Sequence, residues 1–458
     1  MDRLTKQAGK LSLMAITWPI FIEFTLQMLM RTTDTFMLSR VSDDAVAAVG
    51  VSNQIIMFAT LTFNFVAMGS AVVISQYVGA KRYREIGRLV GASLGLNFLF
   101  GLFVSVMVVL CSGPLLRIFG LQPALFEQAQ QYLYIAGGAL FIQAILLAAV
   151  ATIQSHGLTR QTMMVSLGMN VLNIIGNYLF IYGALGFPKL GVTGVAISTA
   201  TSQLIGLLVN LYLLRHAAGV YVKRIYLVRW KREHVRQVLR IGIPTSLINL
   251  SYNANQFVTT AFISSLGAMM LTTRIYTQNI MFIVMILGIS LGRGVQIIVG
   301  HLVGAGEREE AYKTVLRSFG RSLILTLVGV AALSLFREPL IGLFTDSEAI
   351  IELGATLLLF SFLLEPGRNM NIIFERSLQA AGDARFAMLS SVCIMWLFSV
   401  PLTYLLGIHL GYGLYGIWTA FIIDEWVRGL VLLVRWRSRA WEKQSLVKRQ
   451  PEEAAAEA

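Results

Sequence analysis

Apolar runs of about 20 residues, the length a helix needs to cross a bilayer, recur from one end of this chain to the other. In a hydrocarbon layer every backbone N–H and C=O must be satisfied within the segment, so such runs are helices. Twelve can be marked out, over 13–38, 46–75, 88–111, 129–153, 162–185, 191–214, 241–265, 273–299, 315–336, 350–374, 386–407 and 412–434. The 13% share of charged residues, about half that of a soluble domain, and the mean hydropathy of +0.69 agree with this reading. The segments between the runs are too short to fold as a soluble domain. The expected fold class is an all-α integral membrane protein of twelve transmembrane helices. The basic opening MDRLTKQAGK precedes an apolar stretch too long for a signal peptide, and no small-residue cleavage site follows, so a retained first span is expected.

The net charge of +13 is a topology signal. With the first residues inside, the segments on that side hold 28 Lys and Arg and the opposite loops hold five, Arg40, Arg117, Lys189, Arg274 and Arg337. Arg31, Arg293, Arg368 and Arg428 fall within spans. Such an asymmetry places both termini in the cytoplasm, and nucleic acid is not an expected partner. Cys111 and Cys393 lie far apart in apolar runs and read as packing residues. The end QPEEAAAEA is low in complexity and expected to be disordered.

The chain also repeats itself. Displaced by 225 positions, VGAKRYRE (78–85) falls on VGAGEREE (303–310), Pro19 on Pro244, Gly69 on Gly294, and QSHGLTRQTM (154–163) on QAAGDARFAM (379–388). After a three-residue gap, GVTGVA (191–196) meets GLYGIW (413–418). A duplication explains this. Each half holds six spans, an even number, so the halves are parallel repeats, and two such lobes leave a central cleft whose exposure can alternate between sides. The expected domains are an N-terminal lobe (1–214), a basic cytoplasmic connector (215–240), a C-terminal lobe (241–434) and a basic, then acidic, disordered tail (435–458).

Nine ionisable residues lie at membrane depth: Glu23, Arg31, Asp34, Arg293, Glu365, Arg368, Asp424, Glu425 and Arg428. Each costs ~2.5–3.5 kcal/mol at mid-bilayer unless it faces a cavity or a partner. Glu23, Gln27, Arg31 and Asp34 share one face of the first helix, with Arg31 a turn before Asp34 and placed to hold it ionised. Asp34 is expected to act as a switch between ionised and protonated or cation-bound forms. A permanent Arg31–Asp34 pair is the structural alternative. In the second half EPGR sets Glu365 beside Arg368, and DEWVR sets Asp424 and Glu425 before Arg428. With Arg293 these make three cations against three carboxylates, which fits a closed ion-pair network or a proton relay alike. Asn170, Asn173 and Asn177 form a polar face on the fifth span.

Pro19 and Asp34, the QYVGAKR segment, the turns GLTR and GDAR, NVLNIIGNYLFIYG (170–183) and GLYGIW together resemble the multidrug and toxic compound extrusion (MATE) family over 11–434. The resemblance implies a two-lobed secondary antiporter that expels organic, often cationic, compounds against inward proton or sodium flow. It implies a coupling role for Asp34, while Glu365, Asp424 and Glu425 are further ion-coupling candidates from their place in the second cluster. The chain departs from the family at two places. Asn177 stands where span five commonly carries an acid, four residues after Asn173, and span seven, IPTSLINLSYNANQFVTT, has no carboxylate. Protons are therefore expected as the coupling ion ahead of sodium. No GxxxxGK[ST] loop exists for an ATP-driven pump, and the five histidines are scattered without an HExxH, so neither a pump nor a metalloenzyme is expected. A flippase for lipids or lipid-linked precursors is the alternative reading. The expected partners are a small organic substrate and the bilayer. The protein is expected to be a monomer in the cell membrane, with no cofactor beyond an ion gradient.

Overall fold

The computed structural model describes residues 12–447; the N-terminal MDRLTKQAGK and the final QPEEAAAEA lie outside them. The first half builds α1 (Leu13–Ser39), α2 (Asp43–Gly79), α3 (Tyr83–Leu110), α4 (Pro123–Gly137 continuing as Leu140–Ser155), α5 (Thr159–Tyr182) and α6 (Val192–His216). The second builds α7 (Arg232–Ser265), α8 (Ala268–Ala305), α9 (Arg308–Leu335), α10 (Glu348–Ala380), α11 (Ala384–His409) and α12 (Gly413–Arg437). Among the described residues nine of these are long and apolar enough to span a membrane alone, and α4, bent by 43°, is a tenth. The remaining two are the polar ones. Helix α7 is rich in Asn, Ser and Thr, and α12 carries Asp424, Glu425 and Arg428.

The duplication is visible element by element. Helices α3 and α9 are each 28 residues long and begin 225 residues apart. So do the short helices Ser112–Arg117 and Arg337–Gly342 that follow them. The copies differ where the helices depart from regularity. In the first half the irregularity is a π turn at Leu133–Gly137 in α4, whereas in the second it falls in α11, at Met395–Ser399 and Leu405–His409. A π turn adds a residue to the helical turn and disturbs the bonding of backbone carbonyls. Here the Met395 carbonyl accepts from Asn255 Nδ2 at 3.4 Å.

Packing divides the chain into two compact units, Trp18–Gly242 and, together, the residues up to Thr17 and from Ile243 onward. The division falls inside α1 and α7, next to Pro19 and Pro244, and not in the connector. Within the first unit Gly69 of α2 meets the start of α7 so closely that a Cβ there would lie 2.2 Å from the Val238 carbonyl and 2.9 Å from the Gly242 nitrogen. Within the second unit its repeat mate Gly294 would meet Thr17 Oγ1 at 2.5 Å. The same contact is made twice, each time with the opening turns of the other half's first helix.

The connector is built from several short pieces. A 3-10 turn at Arg224–Leu227 lies against α3, where Tyr221, Tyr226 and Leu227 cover Gly87, Gly91 and Gly95, and α7 begins at Arg232. The expected disorder from 435 onward does not hold through 447. Trp441 is fully buried and stacks on Trp436 with centroids 4.3 Å apart, and Arg439 Nη2 meets Glu309 Oε2 at 2.6 Å. Two aromatic surfaces withdrawn from water hold this stretch in place. Cys111 and Cys393 are unpaired and exposed, so neither is a core packing residue.

Candidate functional site

In the first unit two carboxylates of α1 turn inward. Asp34 is 9% exposed, and its Oδ1 accepts from Asn177 Nδ2 of α5 at 2.5 Å. The chain continues, because Asn177 Nδ2 also reaches Asn173 Oδ1 at 3.3 Å, and Asn173 Nδ2 donates to Thr199 Oγ1 of α6 at 3.2 Å. Eleven residues earlier, buried Glu23 accepts through Oε2 from Gln154 Nε2 at 3.1 Å and from Thr162 Oγ1 at 3.0 Å. Helical spacing brings both acids to one face of α1, and the asparagine face of α5 supplies donors to one of them.

The expected partnership of Arg31 with Asp34 is not present. Arg31 is exposed and forms no ion pair with Asp34 among the described residues, and Gln27 is exposed too. The stripe is thus split, with Glu23 and Asp34 buried and the two residues between them outside. Spacing along one helix puts side chains on one face but says nothing of which neighbouring helix supplies the partner. The partner is Asn177.

In the second unit α10 and α12 bring five charged groups together. Arg428 Nη2 bonds Asp424 Oδ2 at 2.6 Å and Glu425 Oε2 at 3.1 Å. Arg368 bonds Glu365 and reaches Glu425 Oε1 at 3.4 Å, while Asn371 Nδ2 donates to Glu425 Oε2 at 2.8 Å. Asp424 Oδ1 is buried without a hydrogen-bond partner among the described residues. The described bond of Arg293 runs elsewhere, from Nη1 to Gln296 Oε1 at 3.4 Å, and Gln296 leads to Gln379 and Glu375. The ion pairs described between α10 and α12 join two arginines and three carboxylates.

A cavity of about 50 Å³ lies among these groups, walled also by Tyr252 and Gln256 of α7. It has room for a few waters but is far smaller than a drug-sized pocket. Gln256 links it to a residue that sequence reasoning placed in an outer loop. Arg274 lies in the second turn of α8 and is 4% exposed, and it donates through Nη2 to Gln256 Oε1 at 2.9 Å and through Nη1 to Thr260 Oγ1 at 2.6 Å. Its Nε has no acceptor. Helix α8 begins five residues earlier than the apolar run alone suggests, and one arginine in a long run is invisible to averaged hydropathy. Asn371 was also missed, although it follows Arg368 by three residues and so shares its face. Gln154 and Thr162 sat in view within the repeated QSHGLTRQTM.

Two buried acid clusters, one in each copy of a six-helix repeat, and a small polar cavity fit a membrane transporter. The comparisons agree. The MatE family model matches residues 19–179 and again 244–405, one match per half. The chain belongs to the MATE family of transporters. It is 43% identical over 439 residues to "Uncharacterized transporter YisQ" of Bacillus subtilis, covering 96% of each chain. It is 26% identical over 443 residues to "Probable multidrug resistance protein NorM" of Thermotoga maritima, covering 96% of this chain and 94% of that one. A solved structure described as "Crystal structure of MATE in the bent conformation" superposes with a TM-score of 0.88 at 21% identity, covering 98% of this chain and 100% of that one, which shows the fold.

Proposed function

We propose that this protein is a secondary active exporter of organic, cationic or amphipathic compounds, driven by inward proton flow with Asp34 as the coupling carboxylate. The family supplies transport. The observation that carries the coupling is that Asp34 is buried and held by the neutral Asn177, with no cation paired to it among the described residues. An amide orients a carboxylate but does not cancel its charge. A proton or a bound cation does.

Asn177 suits both forms of such a switch. Its Nδ2 donates to ionised Asp34, and its Oδ1, buried without a partner, can accept from a protonated one. The substrate would bind on the cytoplasmic side while Asp34 is ionised. Protonation from outside would then exchange one hydrogen bond for another, change the contact between α1 and α5, and release the substrate. Asp424 gives a further proton station, since its Oδ1, without a hydrogen-bond partner among the described residues, belongs to a side chain that lines a cavity large enough for water. The orientation with both termini in the cytoplasm belongs to the same proposal.

Reconstituted vesicles test this directly. A proton gradient imposed across them should drive movement of a fluorescent organic cation, and a sodium gradient alone should not. Asp34→Asn should abolish uphill transport while substrate binding survives. Uphill transport by Asp34→Asn at the wild-type rate would overturn the assignment. Movement of labelled phospholipid without any of the soluble cation would point to a flippase instead.

A further inference from the structure

Helix α5 presents its asparagines inward, and the other side of the same helix carries a feature the transport site does not use. Met164, Gly168 and Leu172 of α5 and Ile205, Gly206 and Val209 of α6 line an open trough of about 630 Å³. Met164, Leu172, Ile205 and Val209 are all exposed. Gly168 leaves the trough deep, since nothing lies within 4 Å of the place its Cβ would occupy, while at Gly206 the Met169 side chain packs into the space a Cβ would take and forms the floor.

Its length and its end chemistry point to one kind of occupant. From Arg160, which also lines it, to Leu172 is twelve residues, about 18 Å of helix, a little over half of a hydrocarbon core roughly 30 Å thick. The trough thus runs from the membrane interface to near the midplane, the depth reached by a chain of one leaflet. Arg160 stands at the interfacial end, exposed and without a hydrogen bond or ion pair among the described residues. Arg215 and His216 close α6 at that end. The basic-loop asymmetry of the sequence assigns it to the cytoplasmic leaflet, where a basic pocket between helices meets anionic headgroups.

We propose that the trough is a binding site for an anionic phospholipid, with one acyl chain laid between α5 and α6 and the headgroup phosphate against Arg160. Gly168 admits the chain, the exposed aliphatic side chains wall it, and the arginine selects the headgroup charge. This site is separate from Asp34 and Asn177 and does not depend on which ion drives transport.

Native mass spectrometry of the delipidated full-length protein tests the proposal, using phosphatidylglycerol and phosphatidylcholine with matched acyl chains. Wild type should retain phosphatidylglycerol about fivefold more than phosphatidylcholine, the preference expected from one basic group at a membrane surface. Arg160→Gln should equalise the two lipids, and Gly168→Leu, which fills the trough, should lower retention of phosphatidylglycerol. Equal retention by wild type, or a preference that survives both substitutions, would overturn it. So would displacement of bound lipid by a lipophilic organic cation with no dependence on headgroup, which would assign the trough to substrate.

Discussion

Arg274 is held by two neutral oxygens in the interior of the second unit and has no carboxylate beside it among the described residues. A buried charge without a counter-charge stabilises little, and a hydrophobic residue of similar length in its place is often neutral or stabilising. Arg274→Met should therefore leave the thermal midpoint of the purified protein unchanged or higher while reducing transport, because Gln256 at the cavity wall loses its anchor. A large fall in the midpoint would make Arg274 a structural residue only. Asn177→Leu is the complementary test. It keeps the bulk but removes both the donor and the acceptor facing Asp34, and should reduce uphill transport nearly as far as Asp34→Asn does in the vesicle assay.

His234 makes a different prediction, since it precedes the apolar part of α7. Burial pushes its imidazole below the ordinary value, against the opposing pull of Glu85, whose Oε2 lies 3.6 Å from Nε2. The unfolded chain then takes up a proton before the folded one, so this residue's contribution is present above about pH 6.5 and is lost as the pH falls. Thermal midpoints should drop less between pH 7.5 and 5.5 in His234→Gln than in wild type. Parallel slopes would show that His234 contributes nothing. How much of the site was legible depended on the kind of partner. Acids on one helix face can be picked out by counting, as Glu23 and Asp34 were. The identity of the group opposite, Asn177 for Asp34 or Gln154 for Glu23, depends on how helices distant in sequence pack, and no spacing encodes that.

At the level of elements, regular helices were the most readable part. Each of the twelve runs corresponds to a helix, because a bilayer leaves the backbone no other solution. The polar helices α7 and α12 were marked out as runs too, over 241–265 and 412–434, despite their polar residues. The departures were not readable. The π turns of α11 lie on either side of Pro401, a proline that α5, its regular counterpart, lacks, but a proline alone does not mark where a π turn falls. The folded start of the tail was hidden because WRSRAWEKQ is basic and polar, while the two tryptophans that hold it pack on each other. Trp441→Ala should cost about 3–5 kcal/mol at this fully buried position. Differential scanning fluorimetry should register this as a clear drop in midpoint, and an unchanged midpoint would mean that the tail contributes nothing to the second unit.

For the whole molecule, the duplication organises everything larger than a helix. The 225-residue displacement places α3 over α9 and the short helices over each other, and the family model matches each half once. Yet the charges are not duplicated. The first unit keeps two acids among amides and hydroxyls, and the second keeps three acids among arginines, so the copies have diverged in chemistry while retaining their scaffold.

The exchange of opening turns between α1 and α7 has a practical corollary. A fragment cut after Trp230 contains all six helices of the first repeat but lacks Val238 and Gly242, the surface that covers Gly69. Produced alone it should aggregate on size-exclusion chromatography, whereas extending it to Leu250, or producing both pieces together, should yield a single soluble peak in detergent. A monodisperse short fragment would refute this. The piece of this molecule able to stand by itself is thus cut out of step with the chain's own helices, beginning and ending inside one.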